Sequence, residues 1–178
     1  MSLLNKLGMI EAYNSETVVS TNAVWAIIFE ESCHRWAENI YQKPKLRTYV
    51  KFKEAYTVEP YVLSFISRRQ RSITAQLRCG ILPLAIETGR WYGVDYNLRH
   101  CKLCNSGEVE NEEHFVFLCN YFDEERAYLM SYVQQLLPDF SQKSINEKFQ
   151  CLMSKECIVK FSQYVANIYN KRQSKLFI

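Results

Sequence analysis

HCKLCNSGEVENEEHFVFLCN, residues 100–120, sets Cys101, Cys104, His114 and Cys119 in the order Cys-x2-Cys-x9-His-x4-Cys. Three thiolates and an imidazole complete a tetrahedral ligand set for zinc, and one short stretch supplies all four. The first pair suits a tight turn whose backbone amides point at the sulfurs, and Gly107 helps the chain fold back toward the second pair. In HFVFLC a helical or nearly helical start brings His114 and Cys119 round to the same ion. With every coordination position filled by protein, none is left for an activated water, so the pattern predicts a structural Zn2+ rather than a catalytic one. The competing reading makes the cysteines small buried hydrophobes and His114 a polar core residue. It leaves the spacing unexplained.

Outward from this array the thiols lose their pattern. Cys33, Cys79, Cys151 and Cys157 are scattered without ligand spacing and read as packing residues, His34 as part of a helix face, and His100 as a solvent-exposed neighbour of the first ligand. The 178 residues suit a modest core or a helical domain carrying a metal-stapled module, and an apolar content of 48% argues against disorder. Seven cysteines, an odd number, stand behind an N-terminus with no basic start and long apolar run, which favours a reducing compartment: an intracellular protein of nucleus or cytoplasm. The longest apolar run, AVWAIIF at residues 23–29, is too short to span a bilayer, so no membrane partner is expected.

Charge is uneven along the chain. Residues 43–105 hold twelve Lys and Arg against four Asp and Glu, while the segments on either side are net acidic. A basic block leading into a metal module is the electrostatic footprint expected of a nucleic-acid binder; charge alone fits a solvated helix face equally well.

Four segments follow: an N-terminal helical segment at 1–44, a basic helical segment and linker at 45–98, the CCHC module at 99–122, and a C-terminal helical segment at 123–178. In the first, Trp25, Phe29, Cys33, Trp36 and Ile40 recur every three or four residues from a Thr21 cap, and Pro44 ends the helix. Residues 46–61 read as irregular chain with a helical turn. In the second, Pro60 opens a helix running to Cys79 with Arg68, Arg71 and Arg78 displayed opposite the apolar face and Gly80 as terminator; ILPLAIETGRWYG at 81–93 reads as a turn-rich linker, with Trp91 and Tyr92 a lid over the core. Glu108, Glu110, Glu112 and Glu113 read as a solvated loop. Beyond the array, Asn120 caps a helix with Asp123, Glu124 and Glu125 in its first turn, Pro138 stops it, and a last helix spans about 155–172. The fold class is mainly α: a small helical domain with an embedded CCHC zinc knuckle.

Catalytic patterns are scarce, with no phosphate-binding glycine loop, no Gly-x-Ser-x-Gly elbow and no His-Glu-x-x-His pair. Pro138-Asp139 with Glu147 and Glu156 faintly suggests an acidic set holding a catalytic magnesium.

Residues 68–126, RRQRSITAQLRCGILPLAIETGRWYGVDYNLRHCKLCNSGEVENEEHFVFLCNYFDEER, resemble the C-terminal region of reverse-transcriptase polyproteins from animal non-LTR retrotransposons. There a basic helix ending in a Leu-Arg-x-Gly phrase precedes a zinc-binding module. The phrase here is Leu77, Arg78, Cys79 and Gly80, followed by Pro83, Leu84 and Glu87 through Arg90, then the Cys/His array with Glu113 just before its histidine. The resemblance implies a zinc-binding, nucleic-acid-associated tail that engages template or target. The Tyr-x-Asp-Asp polymerase signature does not occur, and only glutamates follow Asp139 where the nuclease of some elements carries a second aspartate.

The sequence thus predicts a noncatalytic domain, not an enzyme, that binds RNA or DNA. Arg68, Arg71, Arg78, Arg90, Arg99 and Lys102 are its phosphate contacts and Zn2+ its structural cofactor. Two alternatives stand beside it: a protein-interaction module docking through Trp25, Phe29 and Trp36, and a degenerate metal-dependent nuclease centred on Asp139 and Glu156.

Overall fold

Helices make up every regular element among the described residues, apart from one antiparallel bridge between His100 and Val109. The computed structural model describes residues 5, 8–15, 20–43, 46, 48–53 and 55–176. Its chain divides into two units, Met1–Pro44 and Lys45–Ile178.

The first unit holds α1 (Ile10–Asn14) and the long α2 (Thr21–Gln42). Ser20, not Thr21, caps α2: its hydroxyl accepts from the Ala23 amide at 3.2 Å, a bond that requires the cap to sit one residue outside the helix. Pro44, on which the expected break rests, lies outside the described residues.

The second unit comprises α3 (Tyr49–Phe52), α4 (Pro60–Leu63), α5 (Arg68–Arg78), α6 (Ala85–Trp91), the Cys/His segment, α7 (Asp123–Leu136), α8 (Ile145–Leu152) and α9 (Ile158–Leu176). The centre is α9. It packs against α4, α5 and α7, while α3 meets α8 through Phe52 and Phe149, whose ring centroids lie 4.4 Å apart. Cys101, Cys104, Phe115, Val116 and Cys119 belong to the same hydrophobic core as Leu77, Val133 and Phe161, so the Cys/His segment is a wall of this core and not an appendage. No helix among the described residues is long and apolar enough to cross a membrane.

Further expectations need correction. The single helix from Pro60 to Cys79 is two, because Ser67 forms a capping box with Gln70 and starts a new helix there. The carbonyls freed by the break, those of Tyr61, Ser64 and Ile66, accept from the Arg71 guanidinium at 3.2–3.4 Å. The supposed linker at 81–93 contains α6, which tolerates Gly89 because Arg99 lies against it: a Cβ there would meet Arg99 Cγ at 2.6 Å. Trp91 and Tyr92 are exposed and are no lid. Finally, α8 was not foreseen, although Ser144 and Glu147 form a full capping box at its start. Gly80 does terminate α5, at φ 66°.

Candidate metal centre

A hairpin and one unusual helical turn carry the four ligands. The hairpin is closed by the Cys101 amide donating to the Glu108 carbonyl and the Glu110 amide donating to the Arg99 carbonyl, both at 2.9 Å, with Gly107 turning the chain at φ 72°. The second half starts at Asn111, whose side-chain oxygen accepts from the His114 amide at 2.8 Å. Residues His114–Leu118 then form a π-helical turn in which the Cys119 amide donates to the His114 carbonyl at 2.8 Å. The wider turn solves a spacing problem. In an α-helix five residues rotate about 500°, leaving the two side chains roughly 140° apart, whereas an i to i+5 turn stacks them.

Within this frame Cys101, Cys104, His114 and Cys119 are all buried, and their ligand atoms lie within 4.8 Å of one another. Among the described residues no other group of three or more His, Cys, Asp or Glu side chains gathers in this way. The Cys101 and Cys119 sulfurs are 3.8 Å apart, too far for a disulfide and matching the edge of about 3.8 Å of a tetrahedron with metal–sulfur bonds near 2.3 Å. Cys104 Sγ lies 3.3 Å from His114 Nε2, close to the roughly 3.5 Å expected of a sulfur–nitrogen edge. The donor set therefore fits a tetrahedral metal ion with four protein ligands.

Electrostatics agree with a thiolate site. The Cys101 thiol is drawn down to about 3 by the hydrogen bond from Cys119, against the effect of burial, with further help from His114 and from the Leu103 and Cys104 amides. Cys119, which holds the shared proton and is buried, is pushed well above the ordinary thiol range. Burial opposes charge on His114, but the thiols of Cys101 and Cys104 outweigh it and raise the imidazole. A bound cation would replace these shared protons, since metal ligation needs deprotonated sulfur and neutral imidazole.

Neighbouring helices clamp the turn through its carbonyls. From α7, Arg126 donates to Val116 O at 3.2 Å and to Cys119 O; from α9, the Tyr164 hydroxyl donates to Val116 O at 2.8 Å. The expected solvated acidic loop holds at Glu108, which is exposed, but not at Glu110 or Glu112. Glu110 is 2% exposed and accepts two hydrogen bonds from Arg172 at 2.6 and 2.7 Å and one from the Ala85 amide at 2.7 Å, tying hairpin to α9 and α6. Glu112 is also buried. The roles of Glu110, Arg126 and Tyr164 were not anticipated: Glu110 and Tyr164 pair across 62 and 48 positions, and Arg126 reaches back to carbonyls of the preceding turn; Asn111 alone left a local sign, a capping residue three positions before His114.

The six predicted phosphate contacts scatter. Arg68 and Lys102 are exposed, and neither side chain makes an ion pair among the described residues. Arg90 is exposed but pairs with the buried Glu87. Arg71 is spent on the α4–α5 break, and Arg99 donates to the carbonyls of Val94 and Ile86 at 2.7–2.9 Å. Arg78 is not displayed. It is 3% exposed, with its guanidinium 2.7 Å from Glu59 and 4.3 Å from the centroid of the Tyr49 ring. Its Nε and Nη2 find no well-angled acceptor, so the charge is balanced by proximity and by the ring face.

Nor do the candidate nuclease carboxylates converge on a metal-holding group among the described residues. Asp139 pairs with Lys143 at 2.6 Å, which holds its carboxyl below the usual range, and Glu147 is engaged in the α8 capping box.

Comparison with protein-family models, with curated proteins and with solved structures found no match.

Proposed function

We propose that this chain is a noncatalytic nucleic-acid-binding domain whose fold is stapled by a structural Zn2+, corresponding to the C-terminal tail of a retrotransposon reverse transcriptase. The observation that carries the reading is the buried set of three sulfurs and one imidazole at tetrahedral spacing, which occupies every coordination position and leaves the ion no vacancy for substrate or water. Zinc suits this soft, four-coordinate donor set better than magnesium or calcium, which take oxygen ligands. Nucleic acid is favoured as partner by the basic segment 43–105 and by cations still presented from it, Arg68 beside Arg69 on α5 and Lys102 inside the hairpin. These contact phosphates and read no sequence, so affinity should fall steeply with salt.

The test is metal analysis of the purified chain together with titration of labelled RNA and DNA oligonucleotides at two salt concentrations. One equivalent of zinc and salt-sensitive binding support the reading. Zinc with no binding of either polymer leaves a structural metal and removes the partner.

A second reading has its own observation. On α2, Trp25 is 64% exposed and Phe29 is exposed as well, as a helix docking on another protein would present them. Iodide quenching of tryptophan emission, compared with a Trp25→Phe variant, checks it; protection of Trp25 in the monomer would remove its basis.

A further inference from the structure

Correcting the arginine assignments leaves one surface with an unusual combination of groups. Between α5 and α9 runs a groove of about 540 Å³ lined by Arg68, Arg69, Ser72, Ile73, Gln76 and Tyr169. Both arginines are exposed, and Arg69 is held at its position by a hydrogen bond to Asn170 on α9. Ile73 provides a buried apolar floor, while Tyr169 is half-buried against the core. Three residues before Arg68, and so within about 10 Å of it along the chain, Phe65 is completely exposed at 104%. A phenyl ring left in water forgoes favourable burial, and its neighbours Ser64 and Ile66 are both more buried than it is.

We propose that this α5–α9 surface binds single-stranded nucleic acid, with phosphates on Arg68 and Arg69 and unpaired bases on the Phe65 and Tyr169 rings. The proposal rests on the nucleic-acid reading above and narrows it to a strand class and a surface. Charge complementarity selects an anionic polymer, since no carboxylate among the described residues lines the groove. The rings select a single strand, because a base inside a duplex already has both faces stacked on its neighbours, whereas a splayed base can settle on an exposed aromatic face. Cations and ring faces meet phosphates and bases without touching the sugar, so RNA and DNA of equal length should bind alike.

The measurement is fluorescence anisotropy of the metal-loaded chain with labelled oligonucleotides of about 12 nucleotides, within the span of a single-strand site, as RNA, as DNA and as the matching duplex. Single strands of both sugars should bind more tightly than the duplex. Arg68→Gln with Arg69→Gln should weaken single-strand binding about tenfold and flatten the salt slope by roughly 1.4, the loss of two phosphate contacts. Phe65→Ala should weaken it by roughly 5- to 100-fold with the slope unchanged, and Phe65→Trp should restore it. Lys155→Gln, an exposed cation just before the opposite end of α9, should bind as the parent does. Thermal unfolding and zinc content, unchanged in the exposed-residue variants, separate lost contacts from lost fold. If the parent binds single strands but the Arg68/Arg69 and Phe65 variants match it, the surface is wrong and the general function survives. Equal affinity for duplex and single strand overturns the strand class, and no binding by the folded parent overturns both readings, leaving the exposed Phe65 edge to a protein partner.

Discussion

Glu110 shows how a residue read as solvent-facing can hold a fold together. A buried carboxylate matched to a buried guanidinium contributes little against an apolar pair, but removing one partner strands the other charge in the core. Glu110→Gln should therefore lower unfolding stability by about 3 kcal/mol through the orphaned Arg172. It should leave the metal stoichiometry at one, because no ligand is touched. Urea denaturation with metal analysis checks both, and a loss below about 1 kcal/mol would mean the pair is relaxed by water. Tyr164 makes a pH prediction. Burial pushes its hydroxyl up to about 12, with Arg126 opposing, and its proton is engaged with Val116 O. The folded form thus keeps its proton longer than the unfolded chain does. This contribution is whole below pH 10 and is lost as pH rises through 12, amounting to about 2–3 kcal/mol for a shift of this size. In Tyr164→Phe the alkaline decline over that window should shrink accordingly, as followed by denaturation midpoints across the range. At this scale the sequence was legible where chemistry is local: residue type and spacing picked out the four side chains that gather in the candidate metal centre. It misplaced Glu110 and Arg78 and said nothing of Arg126, since whether a charged side chain is solvated or buried is decided by partners such as Arg172, 62 positions from Glu110.

At the scale of elements, periodicity located α2, α5, α7 and α9, whose apolar stripes are long enough to read. The start of α5 and the whole of α8 escaped because their signals are caps rather than stripes, while α6 carries neither a side-chain cap nor a long stripe. The Ser67 and Ser144 capping boxes, each with Gln or Glu three residues on, were present in the sequence and outranked by the neighbouring apolar pattern. The π-helical turn was foreshadowed by the His-x4-Cys spacing, which no α-helix can bring onto one face; its nature emerged only from the Cys119 to His114 hydrogen bond. Because the turn uses a wider and rarer hydrogen-bond pattern than the α-helix, its start needs fixing. Asn111→Ala removes the cap on His114 and should cost about 1 kcal/mol of stability and reduce zinc affinity in a competition titration with a chromophoric chelator. An unchanged affinity would show that the four ligands alone impose the turn.

For the molecule as a whole, the site and the core are one structure in the unit Lys45–Ile178. Three of the four ligands count among its buried hydrophobic residues, and Phe115 and Val116, within the ligand-bearing turn, are fully buried against the rest. The sequence divided this region into a basic segment, a metal module and a C-terminal helical segment, but shared burial gives them a common core that no segment-by-segment reading can show. The proposed zinc makes a cooperative prediction: an ion held by this donor set would contribute on the order of 10 kcal/mol to every helix that packs on the turn. The most direct measurement is calorimetric unfolding of the purified chain before and after chelation, with bound metal quantified in each sample and Cys104→Ser as the ligand-loss control. One equivalent of zinc, whose removal abolishes the cooperative transition as Cys104→Ser also does, is the predicted result; a metal-free chain that unfolds at the same temperature would contradict the account.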